Sequence, residues 1–345
     1  MRVDNVPALG DGQISEVLAL VATASHLDGV APLSEQSLLA VRGGDKAGAT
    51  TGSPHFLAYA GAHLAGYAHL ERGGAGEAVT GEVVVDPAHR RQGVGTALIH
   101  ALETAPALEI APEHALETAP ETAPDPEGES EAEAGTLQLW SHGHLDAARA
   151  FAVRDGYSSV RELWAMRRSL RSDVDPLPDV RLPEGFSARH FVIGQDEDAW
   201  LRVNARAFAD HPEQGRLTRH DLDRRIAEPW FDARGFILIE DTRGFAPVLA
   251  ASHWTKVVPA EHPEVGPTAG EVYVVGVDPA YQGLGLGRVV TILGLAYLRG
   301  RGLTEATLYV DADNSAAIAV YSRLGFARFA ADVMYSPAVH PPVTR

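Results

Sequence analysis

The chain has 345 residues, more than one typical domain needs and about enough for two. It contains no cysteine, which excludes a disulfide framework and a thiolate metal site, and no metal is expected. The net charge of −17 argues against nucleic acid as a partner, although ten of the acidic residues crowd into 102–134, where there is no Lys or Arg.

In chain order, the start Met1-Arg2-Val3-Asp4-Asn5-Val6-Pro7 lacks the basic-then-apolar order of a signal peptide. Residues 56–60, 66–70 and 82–85 read as strands, a glycine-rich turn follows, and 96–102 reads as a helix. The segment His100-Ala-Leu-Glu-Thr-Ala-Pro106 then recurs at His114 to Pro120, inside an Ala/Glu/Pro-rich stretch. That stretch has no aromatic residue and little to bury, so 104–134 is expected to be disordered and dispensable. Another strand is expected at 137–140. The proline-rich segment 171–184 has neither helical nor strand period and suggests a boundary, with domains at 1–171 and 185–345. Beyond it, 236–240, 248–254 and 271–277 read as strands, 287–299 as a helix, 308–310 as a strand and 314–324 as a helix closed by Gly325. This is an α/β order, with an α+β mixed sheet expected in each half. The longest apolar run, 289–298, is too short to cross a bilayer. A soluble, monomeric, cytoplasmic protein without a membrane partner is the expectation.

The halves repeat one another. Val85-Asp86-Pro87-Ala88-His89-Arg90-Arg91-Gln92-Gly93-Val94-Gly95 matches Val277-Asp278-Pro279-Ala280-Tyr281-Gln282-Gly283-Leu284-Gly285-Leu286-Gly287 without a gap, at an offset of 278 − 86 = 192. Arg154-Asp155-Gly156-Tyr157 likewise mirrors Arg323-Leu324-Gly325-Phe326. A glycine turn that ends a strand and opens a helix lets backbone amides approach a phosphate or pyrophosphate. Taken alone, it also fits a purely structural turn. The dinucleotide pattern is not met, because Asp278-Pro279 and a longer loop intervene and no ribose-binding acid follows. The nucleotide-hydrolase pattern fails for want of Gly-Lys-Ser/Thr.

The string Val-Asp-Pro-x-Tyr/His-Arg/Gln-x-x-Gly-x-Gly, present twice, resembles the acetyl-CoA-binding motif of the GCN5-related N-acetyltransferases (GNAT). The segment from Leu308 through Asn314 and Tyr321 to Phe326 resembles the last conserved region of that family. The resemblance implies two tandem GNAT domains and acetyl-CoA as co-substrate. In the second half acetyl-CoA would be held by Val275, Gly276 and Val277, by Gln282, Gly283, Leu284, Gly285, Leu286, Gly287 and Arg288, and by Asn314, Ser315, Ala316, Ala317, Ile318 and Ala319. In the first half the matching residues are Val83, Val84, Val85, Arg91, Gln92, Gly93, Val94, Gly95 and Thr96.

An amine attacks a thioester only when neutral, so a carboxylate beside the thioester can serve as base. Glu271, at the start of the strand leading to the glycine turn, is suitably placed, and Tyr321, seven residues after Asn314, would by resemblance face the leaving sulfur as general acid. The offsets of 192 and 169 map these two to Val79 and Ala152, which cannot move protons, so the first half is expected to be silent. A slightly different placement would bring Glu77 or Glu82 near that site. The strings Asn204-Ala-Arg-Ala-Phe208, His211-Pro-Glu-Gln-Gly215, His253-Trp-Thr-Lys256 and 270–277 resemble tandem members that acetylate the cysteinyl amine of a cysteinyl-glucosaminyl-inositol. By that resemblance Glu35, Glu213, Lys256, Glu271 and Tyr309 would hold a small-molecule amine, with Glu35 reaching it from the first half. Plain structural readings also exist: Glu35 as an acid favoured in the first turn of a helix, Glu213 as a loop charge, Lys256 as a surface strand residue, Glu271 as a solvent-exposed strand end, Tyr321 as core packing. Other acceptors (an aminoglycoside, a polyamine, a peptide N-terminus) and a non-catalytic acetyl-CoA-binding role remain alternatives.

Overall fold

The computed structural model describes residues 1–43, 53–71, 78–105, 136–209, 212–257 and 269–338, without the side chains of residues 212 and 213. Nearly all of the acidic insert expected at 104–134 lies outside the described residues, and so does Glu77. The elements run β1 (Arg2–Val6), α1 (Asp11–Asp28), α2 (Glu35–Val41), β2 (His55–Ala60), β3 (His63–Glu71), β4 (Val79–Val85), α3 (Val94–Glu103), β5 (Leu137–Ser141), α4 (Asp146–Arg154) and β6 (Tyr157–Ser169). They continue with β7 (Phe186–His190), α5 (Glu197–Ala207), α6 (Pro212–Gly215), α7 (Arg219–Ile226), β8 (Phe236–Asp241), β9 (Val248–Val257), β10 (Gly270–Val277), α8 (Leu286–Gly300), β11 (Glu305–Asp311), α9 (Ser315–Arg323) and β12 (Ala327–Pro337). No helix among the described residues is long and apolar enough to cross a membrane.

The chain forms two compact units: Met1–Glu162 together with the last segment from Ala331, and Leu163–Ala330. The first has strand order β1-β2-β3-β4-β5-β12, with β4 and β5 parallel and the other pairs antiparallel. Its sheet buries Leu57, Tyr67 and Val84 against α1 on one face, and Leu70, Val79 and Val333 against Leu98 and Leu102 of α3 on the other. The second has order β7-β8-β9-β10-β11-β6, again with one parallel pair, β10 and β11. Val272, Leu295 and Leu298 pack on its α8 face, while Trp200, Phe236 and Trp254 stack on the opposite one. The mixed sheet expected from the sequence is present in both units.

The division does not fall at the proline-rich segment. β6 carries the chain from one unit into the other at Leu163, and β12 carries it back at Ala331. The segment expected as a linker therefore lies within the second unit, where Leu177 and Val180 pack on the core and Asp175 pairs with the buried Arg168 at 2.8 Å. The apolar content of this segment, not its prolines, decides where it goes.

Candidate active site

In each unit the parallel ladder stops short. β10 pairs with β11 only over Gly270–Val272, and β4 pairs with β5 only over Val79–Glu82. Beyond those points the strands part, so Val275, Gly276, Val277 and, in the first unit, Val83, Val84 and Val85 present a backbone edge that a ligand amide can pair with. The strand then ends in the glycine turn. Gly283 and Gly285 have φ of +81° and +75°, and Gly285 caps α8. Arg91 and Gly93 take the same places before α3, at +62° and +85°. A left-handed arginine costs on the order of 1–3 kcal/mol and persists only where the surroundings enforce it. Among the described residues, a Cβ at Gly93, Gly283 or Gly285 would meet no atom within 4 Å, so these residues leave the space before both helix N-termini open. Gly95 and Gly287 instead pack under the strand, where a Cβ would lie 3.6 and 3.4 Å from Val85 and Val277. Gln92, Thr96, Gln282, Leu284 and Arg288 are exposed around these turns, and Val94 and Leu286 are buried beneath them.

The carboxylates entering the turns serve as caps: Asp278 accepts the Ala280 N–H at 3.0 Å and Asp86 that of Ala88 at 2.8 Å. The second helix of the site, α9, is capped by Asn314, whose side chain accepts the Ala317 N–H at 3.0 Å. Ser315 and Ala316 are exposed in its first turn, and Ala317, Ile318 and Ala319 are half-buried. Tyr321 lies one turn further, half-buried with its ring 5.8 Å from that of Phe326, and burial pushes its hydroxyl up to about 12. It therefore stays protonated at neutral pH and can donate.

Glu271 stands directly across from Lys256 in the β10–β9 register. The Lys256 ammonium sits 4.9 Å from the Trp230 ring and 5.0 Å from the Tyr273 ring. A bulge between Val272 and Val274 places Tyr273 as an extra residue of β10. Its hydroxyl accepts the Arg225 Nε–H at 2.9 Å. Tyr273, Trp230 and Arg225 were not foreseen. A bulge leaves no mark in an alternating run, and Trp230 follows a proline outside any periodic segment. In the string of residues around Lys256, His253 is structural: it is fully buried, hydrogen-bonds the Val290 carbonyl at 3.0 Å, and is held neutral by burial, down to about 4. Gly294 makes room for its ring. Tyr309 is 48% exposed on β11, Glu35 is the first residue of α2, and Glu213 lies in α6 with its side chain outside the described set.

The bulge also corrects the register between the halves. Strand pairing makes Thr80, not Val79, the counterpart of Glu271: Glu71↔Thr80 and Thr80↔Gln138 correspond to Lys256↔Glu271 and Glu271↔Thr307. The ungapped offset fails because β10 holds one residue more. Threonine is no base either. Ala152 does match Tyr321, since α4 and α9 have equal length and both stand at their seventh residue. A cavity of about 630 Å³ in the first unit is lined by Val83, Val85, Gly93, Gly95, Thr96 and Ala152 among others. Glu82 is turned away from any such use. It is 5% exposed, accepts the Ser34 N–H at 2.8 Å, and lies 3.2 Å from His142, which in turn lies 2.9 Å from Asp332. Burial alone would lower His142, but its hydrogen bonds to Asp332 and Glu82 outweigh that and push it up to about 10, as an imidazolium. A second cavity, of about 660 Å³ around Trp230, Asp232, Arg234 and Arg301, contains none of the residues expected from the sequence.

The chain is similar to known proteins over most of its length. The profile of the acetyltransferase (GNAT) family matches residues 204–326, and that of an acetyltransferase (GNAT) domain matches 51–124. The mycothiol acetyltransferase of Thermomonospora curvata is 48% identical over 334 residues, covering 96% of both chains. That of Kytococcus sedentarius is 46% identical, covering 93% of this chain and 92% of its own. Among solved structures, a tandem GNAT protein from the clavulanic acid biosynthesis pathway superposes with a TM-score of 0.66 at 20% identity, covering 99% of each chain. A GCN5-related N-acetyltransferase from Sphaerobacter thermophilus gives 0.61 at 22%, covering 99% of this chain and 97% of its own, and at such identities the likeness is one of fold. With a GNAT match in each half and nearly half of all residues shared along the whole length, the chain belongs to the mycothiol acetyltransferases, a tandem family of GNAT enzymes.

Proposed function

We propose that the chain transfers the acetyl group of acetyl-CoA to the cysteinyl amine of a cysteinyl-glucosaminyl-inositol, giving mycothiol, and that the second unit performs the chemistry. The observation that carries this reading is the parting of β10 from β11 just beyond Glu271, with the glycine turn at the end of the opened strand. The amides of residues 283–288 would hold the pyrophosphate, and the free edge of Val275–Val277 would pair with the pantetheine. The thioester then lies toward Glu271, which would take the proton from the attacking amine, directly or through water. Tyr321, protonated at neutral pH, would donate to the departing thiolate. Lys256 and Tyr309, with Glu213, are proposed to hold sugar and inositol hydroxyls of the acceptor. The first unit keeps a glycine turn but has Thr80 and Ala152 where the second has Glu271 and Tyr321, so it would bind acetyl-CoA without turning it over.

The test is an acceptor panel containing the cysteinyl-glucosaminyl-inositol, an aminoglycoside, a polyamine and a peptide N-terminus, read by product mass and by CoA thiol release. Acetylation of the first at a rate well above the rest supports the reading. Preference for another amine replaces the acceptor, and tight acetyl-CoA binding without thiol release on any amine makes the chain a binding protein.

A further inference from the structure

Three side chains of the first unit converge at a place its glycine turn does not need. His63 opens β3, Asp86 follows β4, and His89 ends the short helical turn after it. The β3–β4 register brings the start of one strand beside the end of the other, so residues 23 apart in the chain meet: His63 Nε2 lies 2.6 Å from Asp86 Oδ2. His89 Nδ1 is 3.5 Å from the same oxygen, and the two imidazoles stack at 4.8 Å between centroids. The three candidate ligand atoms all lie within 4.8 Å of one another.

The internal repeat supplies a control. Asp86 and Asp278 both cap the turn that follows, through the N–H groups of Ala88 and Ala280. The aspartate is thus explained structurally in both units. Its surroundings are not alike. By the matching β2–β3 and β8–β9 registers, Ala60↔His63 and Asp241↔Val248, Val248 stands where His63 does, and Tyr281 replaces His89 at the offset of 192, while Asp278 pairs with Arg206. Capping therefore does not require the two imidazoles. In the first unit Asp86 uses Oδ1 for the cap and turns Oδ2 to both rings. His63 has the hydrogen bond, while His89 Nδ1 is buried with no hydrogen-bond partner among the described residues. A single cation would satisfy both nitrogens and the oxygen together.

We propose that His63, Asp86 and His89 form a binding site for a divalent transition metal of the zinc class. Two imidazole nitrogens and one carboxylate oxygen suit zinc, cobalt or nickel, and a tetrahedral ion at roughly 2.0–2.1 Å from each ligand leaves one position for water. The ligands are not in the unit that carries Glu271 and Tyr321, so the ion would act by tying the β2–β3 turn to the loop that leads into Gly93, not in acetyl transfer. The donor set comes from two strand ends and one turn, which is why no ligand spacing shows in the sequence.

The test uses the full-length chain without an affinity tag, stripped by a chelator and titrated with Co²⁺ near neutral pH. With 15 histidines in the chain, the reference is the double variant His63→Val, His89→Tyr, which installs the residues of the second unit at the matching positions. The intact protein should take up one equivalent with intense visible d–d bands that Zn²⁺ displaces. Each single variant should weaken binding at least tenfold, the double variant should abolish the bands, and its melting temperature without metal should match that of the parent. Absence of the bands in the intact protein, or equal bands in the double variant, overturns the proposal.

Discussion

Glu271 and Tyr321 are assigned separate proton transfers, and the two should fail differently. Glu271→Gln keeps the shape of the side chain and removes the base. Single-turnover acetylation should slow by roughly two to four powers of ten, with little change in acetyl-CoA affinity. An α-amino group titrates near pH ~8, so the defect should shrink toward pH 10, where the acceptor is already neutral. Tyr321→Phe removes one hydroxyl. Because burial holds that hydroxyl up to about 12, it remains a donor across pH 6–10, and its loss should be uniform over that range. It should also be smaller, because a thiolate leaves more readily than most groups. Near-normal rates for Glu271→Gln at pH 6–7 would show that another group takes the proton. In the sequence only family resemblance singles out these two candidates: a glutamate at a strand end and a tyrosine on an apolar helix face are ordinary features. The lysine cage was not legible, since Tyr273 reaches Lys256 through the bulge, which depends on pairing with β9.

At the scale of the element, the glycine turns are a matched pair with unequal consequences. Gly285 and Gly93 each cap a helix at positive φ with open space beyond. Glutamate at either position strains the backbone and would set a carboxylate where the pyrophosphate is proposed to lie. Gly285→Glu should abolish turnover, whereas Gly93→Glu should reduce acetyl-CoA stoichiometry by calorimetry while leaving the chemical step largely intact. Equal loss of single-turnover rate in two folded variants would show that the first unit is not silent. These turns, with β8, β9, β10, α8 and α9, could be read from sequence because alternation, glycine punctuation and an Asn cap agree locally. β6 and β12 could not. β6 is exposed at Ser158, Ser159 and Val160 and buried at Ala165, Met166 and Arg168; β12 runs from exposed Ala327 to buried Val333. A strand that changes its surroundings midway shows no single period.

For the whole molecule, that pair of strands determines what can fold alone. A cut just after the proline-rich segment, into 1–184 and 185–345, follows the repeat but crosses both compact units. The first fragment loses the β12 residues Val333–Tyr335 that pair with Leu139–Ser141, and with them Asp332, one of the two carboxylates on buried His142. Breaking one partner from such a buried charge network costs about 3–5 kcal/mol. The second fragment loses Leu163–Ser169 from the edge of β11, together with Met166 and Leu170, which are 2% and 1% exposed in its core. Two fully buried apolar side chains amount to about 3–6 kcal/mol, before the Arg168 contacts to Asp175 and the Leu324 carbonyl are counted. Against a usual total of about 5–15 kcal/mol, either loss is a large fraction of the margin. Expressed separately, both fragments should be insoluble or lack a cooperative thermal transition. Expressed together, they should recover a soluble complex that acetylates the acceptor, because the missing strands are then supplied by the other fragment. The measurement is a melting curve for each fragment alone and for the co-expressed pair. A cooperative transition for either isolated fragment within a few degrees of the intact chain would show that the exchanged strands are not needed for folding.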